Sequence, residues 1–330
     1  MHHKHKNRLL AGSISLRLPV AIAAVVVFLL PVARACSVCG CSLSSDWGLQ
    51  GYTTKSGWDA DLRFEYFEQS RLYSGASTVN RTLLEIPNDE EIQQRTVNRN
   101  VWLNLDYNPK SFWGVSVQAP YHNRYHTTIA SDDTDISTSY ATGLGDIRLL
   151  ARYVIPASKG KLGFQFGLKL PTGRFDQNFA SGPQADAPLD RGLQLGTGTT
   201  DIIAGVSFFG REGLKLGYFA QATAQKPLTE RDGFSPSPTL TTSIGIRYLN
   251  TTRLLPQIQI NVKWDGRESG VNSDRNNSGG FVAFLSPGLS ADVTDDISTY
   301  AFVQIPIYQR VSGLQLEPRW LLSFGIRARL

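Results

Sequence analysis

The chain has 330 residues, with 33 basic and 28 acidic side chains and a net charge of +5. The first 35 residues contain no acidic residue and five basic ones, namely Lys4, Lys6, Arg8, Arg17 and Arg34. The rest of the chain therefore balances 28 basic residues against 28 acidic residues. Nucleic-acid binding needs a clustered positive surface, so we expect no nucleic-acid partner.

The first 35 residues have the pattern of a secretory signal peptide. A basic stretch precedes an apolar run over 18–32, and Ala33 and Ala35 supply the small residues of a cleavage site. The run is shorter than the roughly 20 residues of a membrane-spanning helix, and it contains Pro31. We expect residues 1–35 to be removed, so that the mature chain begins at Cys36. Lipid attachment at Cys36 is an alternative.

The rest of the chain alternates between apolar and polar side chains. From Trp58 to Tyr66 every second residue is apolar, and the residues between them are charged. Such alternation gives a strand one apolar and one polar face. Twelve segments of 10–13 residues are predicted to be strands of this kind: 57–68, 96–107, 112–122, 144–155, 161–170, 200–209, 213–225, 239–249, 254–265, 280–289, 297–307 and 320–330. A tilted strand needs about 9–11 residues to cross a bilayer, whereas strands of soluble proteins usually have about 5–6.

The connections between these segments alternate between long and short. The predicted long loops are 69–95, 123–143, 171–199, 226–238, 266–279 and 308–319. Outer-membrane barrels have long outer loops, short periplasmic turns and an even number of strands. The fold class predicted is all-β, a closed antiparallel transmembrane β-barrel of about 12 strands over residues 57–330.

Aromatic residues lie mostly towards the ends of the predicted strands, which is typical of the girdles at the two membrane interfaces. The residues assigned to these girdles are Trp58, Tyr66, Trp102, Tyr107, Trp113, Tyr121, Tyr153, Tyr218, Tyr248, Trp264, Tyr300 and Trp320.

Three short motifs stand at strand boundaries in the middle of the chain. They are Gly143-Leu144-Gly145-Asp146, Lys169-Leu170-Pro171-Thr172-Gly173 and Leu195-Gly196-Thr197-Gly198-Thr199-Thr200-Asp201. Over about 140–250 the chain resembles the outer-membrane transporter-like family called the meta-pathway of phenol degradation proteins. The resemblance implies a barrel that passes small, often hydrophobic or aromatic compounds. The motif residues themselves are expected to shape strand entries and turns.

All three cysteines of the chain fall within six residues, at Cys36, Cys39 and Cys41. A haem attachment motif is excluded, because Gly40 stands where a histidine is required. A local disulfide, a soft-metal site and lipid attachment at Cys36 remain open. We expect residues 36–56 to form a periplasmic segment that could act as a partial plug.

The polar strand faces are expected to line the barrel lumen and to supply its selectivity. The charged candidates are Asp59, Asp61, Arg63, Glu65, Asp106, Arg148, Arg152, Lys169, Lys215, Arg247, Lys263, Arg327 and Arg329. Because the first and last strands of a barrel adjoin, Asp61 and Arg63 should face Arg327 and Arg329. Such charges could either fill the lumen with salt bridges or set up a field that orients solutes.

The first functional hypothesis is an outer-membrane channel that passes small solutes passively, with its N-terminus in the periplasm. Its partners would be outer-membrane lipid and lipopolysaccharide, the barrel-assembly machinery and a small-molecule solute. The alternative is a plugged barrel whose cysteine segment docks a periplasmic partner for redox or metal handling. No nucleophile motif, phosphate loop or dinucleotide fingerprint is present, so we expect neither enzymatic activity nor a cofactor, apart from a soft metal at the cysteines.

Overall fold

The structure, a computed structural model, describes residues 56–110, 112–213, 215–249 and 253–330. The predicted signal peptide and the cysteines at 36, 39 and 41 lie outside these residues, so both assignments stay predictions.

The described residues form thirteen β-strands and two single-turn 3₁₀ helices, Arg81–Leu83 and Arg191–Leu193. The strands are β1 (Gly57–Gly75), β2 (Ser77–Thr78), β3 (Ile92–Lys110), β4 (Trp113–Ile129), β5 (Ile136–Leu144), β6 (Arg148–Ala157), β7 (Gly160–Lys169), β8 (Asp201–Glu212), β9 (Leu216–Pro227), β10 (Thr239–Tyr248), β11 (Leu254–Asp265), β12 (Gly280–Asp292) and β13 (Ile297–Arg329). In the described part of the chain, no helix has the length and apolar character needed to cross a membrane.

The strands close into one antiparallel barrel, as predicted. Strand pairing runs from β13 through β12 to β6, then through β4 and β3 to β1, and β1 pairs with β13 to complete the ring. Strand β13 contributes two passes to the wall, because Ser298–Val311 pairs with β12 and Val311–Arg329 pairs with β1. Strands β5 and β6 share one position, since both pair with β4. Over the described residues the wall therefore has twelve passes.

Several strands extend further than the sequence predicts. All of strand β5 except Leu144 lies within the predicted loop 123–143, and the predicted loop 308–319 is strand throughout, turning near Gly313. Strands β1, β3 and β4 also continue into predicted loops. An apolar outer face predicts only the part of a strand that meets lipid. The hydrogen-bonded ladder continues beyond that level on small and hydroxyl-bearing residues such as Thr128 and Ser137.

The two faces of the wall differ in polarity as predicted. Asp59, Asp61 and Glu65 face inward and are each 2 % exposed. At alternate positions of the same strand, Trp58 and Leu62 face outward and are 50 % and 49 % exposed. Soluble proteins place charge outside and apolar groups inside, whereas a barrel with a polar interior in lipid does the reverse.

The long connection between β7 and β8 folds into the barrel. Its residues Phe179, Leu189, Leu193 and Leu195 form a buried apolar cluster with Ala141 of β5. The loop also pairs with β5 through backbone hydrogen bonds, such as Thr138 N–H to Ser181 O at 2.9 Å. The sequence left the course of this loop open, and its inward packing places it beside the lumen.

Candidate solute pathway

The barrel interior contains a cavity of about 360 Å³. Strand residues such as Arg63, Trp102 and Arg148 line one part of it, and loop residues such as Leu193 and Phe234 line another. The cavity therefore combines charged, aromatic and aliphatic surfaces. Ligand sites of small molecules typically enclose about 300–1,000 Å³, so this space is of ligand size.

The three sequence motifs meet beside this cavity. Asp146 accepts hydrogen bonds from the backbone N–H groups of Gly173 at 3.0 Å and Thr197 at 2.9 Å. Thr172 donates its hydroxyl to the carbonyl oxygen of Gly145 at 3.0 Å and accepts from the N–H of Ile147 at 2.9 Å. The motifs thus tie the junction of β5 and β6 to both ends of the long loop, a role consistent with strand entries and turns.

Lys169 neutralises the carboxylates at this junction. Its Nζ lies 3.1 Å from Asp146 Oδ2 and 3.1 Å from Asp201 Oδ2, and it also donates to the hydroxyl of Thr197. The lysine is 4 % exposed. Buried ions need partners to offset their desolvation, and Lys169 has two.

The seam between β1 and the second pass of β13 brings Asp61 opposite Arg327 as predicted, but Arg63 lies opposite Gly325. The register pairs Asp61 with Arg327 and Asp59 with Arg329. Both ion pairs nevertheless converge on Asp59, at 3.2 Å from Arg327 and 3.5 Å from Arg329. Long arginine side chains lean along the strand, so the nearest carboxylate need not be the registered one. Asp61 instead accepts the hydroxyl of Tyr300 at 3.0 Å and 3.1 Å.

The other predicted lumen residues divide into three groups. Five of the charged candidates line the cavity, namely Arg63, Glu65, Arg148, Lys169 and Lys263. Arg152 pairs with Asp106 at 3.1 Å, and Arg247 donates to Gln257 at 3.0 Å. Lys215 is exposed and lies in the turn before β9, not on the lumen wall. Strand β9 begins at Leu216, later than the predicted start at 213, so Lys215 precedes the strand and does not face the lumen.

Four cavity-side residues were missed or misplaced by the sequence. Trp102 was assigned to an outer girdle, yet it lines the cavity, and its shared parity with Asn100 and Asn104 would have placed it inward. His122 and Arg124 also line the cavity, and His126 on the same face of β4 is fully buried. Strand β4 continues past its predicted end at 122, which explains why Arg124 and His126 were not expected there, whereas His122 lies inside the predicted strand.

Tyr300 is a second exception to the predicted girdles, being buried at 6 % exposure. Trp58, Tyr107, Trp113 and Tyr153 do face outward and are exposed. Among the described residues, no group of three or more His, Cys, Asp and Glu side chains is arranged to hold a metal ion.

Similarity to known proteins lies at the level of structure. No protein-family model matches the chain, and no curated protein matches it. The COG4313 outer membrane channel from Pseudomonas putida F1 is similar with a TM-score of 0.64 and 12 % identity, over 87 % of this chain and 99 % of that one. The NanC porin matches with a TM-score of 0.47 and 10 % identity, over 82 % and 100 %. The Pseudomonas putida toluene transporter TodX matches with a TM-score of 0.43 and 10 % identity, over 90 % and 98 %.

The fold and the interior together define the class of this protein. It is a β-barrel of the outer-membrane type, with an apolar exterior and a polar interior. Its fold is similar to that of an outer-membrane channel.

Proposed function

We propose that this barrel passes small solutes across the outer membrane by passive diffusion, and that hydrophobic or aromatic compounds are among them. The observation on which the proposal rests is the cavity of about 360 Å³ inside a wall whose outer face is apolar. A space of this size accommodates a single-ring compound but not an extended oligosaccharide.

The lining supports this choice of solute. Its apolar part includes Leu150, Leu195 and Phe234, and its polar part includes Trp102 and Gln118. A solute with a ring and one polar group could contact both parts. The resemblance to the meta-pathway of phenol degradation family points to the same solutes, and the joining of its three motifs around Asp146 supports a shared structural plan.

Flux measurements test the proposal. The refolded barrel in planar bilayers and in liposomes should conduct ions and admit phenol or arabinose, while a trisaccharide should be excluded. Folding is checked independently by heat-modifiable mobility on gels and by β-type circular dichroism. A barrel that passes both folding checks yet shows neither conductance nor solute flux would contradict the proposal.

The docking-scaffold alternative depends on Cys36, Cys39 and Cys41, which lie outside the described residues. No contact in the described part of the chain favours it. Absence of enzymatic activity stays a prediction, and the similarity to a channel agrees with it.

A further inference from the structure

The cavity holds more cationic groups than paired carboxylates can neutralise. Arg63 pairs with Glu65 at 2.9 Å, and Lys263 pairs with Asp265 at 3.1 Å. Lys169 is held between two aspartates, as described above. Arg148 differs from these residues, because within the described chain it has neither a hydrogen bond nor an ion pair within 4.0 Å, and its closest recorded contact is with a ring.

Two carboxylates whose charges act on Arg148, those of Asp146 and Asp201, already have other partners. Asp146 accepts from Lys169, Gly173 and Thr197. Asp201 pairs with Lys169 and accepts from Gln225 at 2.6 Å. These acids lower the local potential without pairing with the guanidinium, so Arg148, which lines the cavity, keeps its donors for a solute.

Trp102 fixes the position of Arg148. The Arg148 Cζ lies 5.4 Å from the centre of the Trp102 ring, within the range of a cation–π contact. The indole is itself held, because its Nε1–H donates to Glu65 Oε2 at 2.9 Å. Arg148 is therefore oriented before any solute binds, which reduces the entropy lost on binding.

A second cation lies on the same cavity wall. Arg124 donates to Asn98 Oδ1 at 2.8 Å and to the carbonyl oxygens of Gly192 and Gln194 at 3.3 Å and 3.2 Å. All three acceptors are neutral, so the positive charge of Arg124 adds to that of Arg148. Apolar side chains, including Leu150 on the same face of β6, line the cavity beside them.

We infer that Arg148 is a binding residue for the carboxylate of a small solute whose apolar or aromatic body lies against the neighbouring lining. A guanidinium offers two parallel N–H donors that match a planar carboxylate. A monoanion suits the site, since the nearby acids would repel a more highly charged group. The inference rests on the proposed passage of small solutes and names their chemical class.

Binding to the purified full chain in detergent tests the inference, with benzoate as the probe and benzyl alcohol as its neutral counterpart. Calorimetry should show benzoate binding at least about tenfold more tightly than benzyl alcohol, because one charge-assisted hydrogen-bond pair is lost in the alcohol. Arg148→Gln should weaken benzoate binding by about tenfold or more, and Arg148→Lys should be intermediate since it keeps the charge but not the fork.

The matched control is Arg174→Gln, which removes an arginine whose side chain is 72 % exposed and pairs with Asp176. It should leave benzoate affinity within about twofold of the wild type. Equal affinity for benzoate and benzyl alcohol in the wild type would overturn the inference, even if Arg148→Gln failed to fold. So would unchanged benzoate affinity in a folded Arg148→Gln protein.

The binding and flux experiments test the carboxylate site and the channel function independently. Arg148-dependent benzoate binding without flux of any solute would leave the site standing and contradict the proposed channel. Flux of phenol without preferential benzoate binding would leave the channel standing and contradict the carboxylate site.

Discussion

Gly173 and Gly196 approach each other so closely that no side chain fits between their backbones. A Cβ atom built on Gly196 would lie 2.4 Å from the carbonyl oxygen of Gly173 and 2.6 Å from Asp146 Oδ1. The N–H of Gly196 also donates to the carbonyl oxygen of Arg174 at 2.9 Å. These contacts hold both ends of the inward-folded loop together, which explains why the motifs of this region carry glycine at these positions.

Substituting Gly196 with alanine should therefore loosen the long loop. Overpacking of a tight site costs about 1–3 kcal/mol, and here the atoms to be displaced are backbone and a buried carboxylate. We expect trypsin to cleave after Arg191 faster in Gly196→Ala than in the wild type, while the barrel keeps its heat-modifiable mobility. Gly217→Ala is the control, since the nearest atom to its Cβ would be in the flexible Leu249 side chain at 3.4 Å, an ordinary contact distance. Equal cleavage rates in the two variants would contradict this account of the loop.

Removing the charge of Asp146 should open the lumen. Asparagine keeps one acceptor oxygen where Asp146 now accepts from two backbone N–H groups, and it leaves Lys169 with Asp201 alone. Breaking a buried ion pair costs about 3–5 kcal/mol, enough to release the loop locally. We expect Asp146→Asn to raise single-channel conductance above that of the wild type.

The control for this measurement is Asp176→Asn, which breaks the exposed pair with Arg174. Exposed pairs contribute at most about 1 kcal/mol, so its conductance should match the wild type. A folded Asp146→Asn barrel with wild-type conductance would show that the loop does not narrow the pathway.

The barrel itself could be predicted from the sequence because lipid imposes a simple rule. Every second side chain must be apolar where the wall meets lipid, and Leu62 and Leu103, which pair across β1 and β3, both follow it. The same rule identified Arg148 as a lumen residue. It failed further along β4, where Asn123 and Thr127 interrupt the apolar outer face before the strand ends at Ile129, and so Arg124 and His126 were missed.

The loop packing and the ion pairing could not be predicted, because both depend on contacts between distant segments. Arg124 reaches the carbonyl oxygens of Gly192 and Gln194, and backbone acceptors leave no mark in a sequence. Arg327 pairs with Asp59 although Asp61 is its partner in the strand register. This pairing depends on the direction in which the arginine side chain extends along the strand. Such choices follow from three-dimensional packing and not from residue type.

Packing of the long loop should weaken as pH rises. Partial desolvation inside the barrel, followed by the charge of Glu91, raises the pKa of Asp190 to about 8 although its side chain keeps contact with solvent, and burial raises the pKa of Glu91. The carboxyl groups of Asp190 and Glu91 are close enough to share one proton, with His126 Nε2 4.0 Å from Glu91 and the charge of Asp274 nearby. Unfolded carboxyl groups titrate near about 4. Between about pH 4 and pH 8 the packed loop therefore binds more protons than the released loop, so its stability falls across this window.

Hydrogen-exchange protection of the loop amides measures this effect, for instance at Leu193, whose N–H donates to the carbonyl oxygen of Asp190 at 2.9 Å. Protection factors should decrease from pH 5 to pH 8 in the wild type and in the control Asp176→Asn. They should decrease less in Asp190→Asn, because the amide donates to Glu91 without titrating and only Glu91 then contributes to the pH dependence. A wild-type profile that is flat, or that rises with pH, would exclude the shared proton.

Tyr300 and Asp61 should contribute to the stability of the barrel seam. The hydroxyl of Tyr300 reaches Asp61 across Gly325, where a Cβ atom would lie 2.4 Å from that hydroxyl. Tyr300→Phe leaves a buried carboxylate short of one donor, which costs about 1–3 kcal/mol. Tyr308→Phe is the control, because Tyr308 faces outward and is 47 % exposed. Its free energy of unfolding should stay within about 0.5 kcal/mol of the wild type. Urea unfolding of the refolded barrels in lipid vesicles compares the two, and similar midpoints for both variants would mean that the Asp61 hydrogen bond adds little to closure of the barrel.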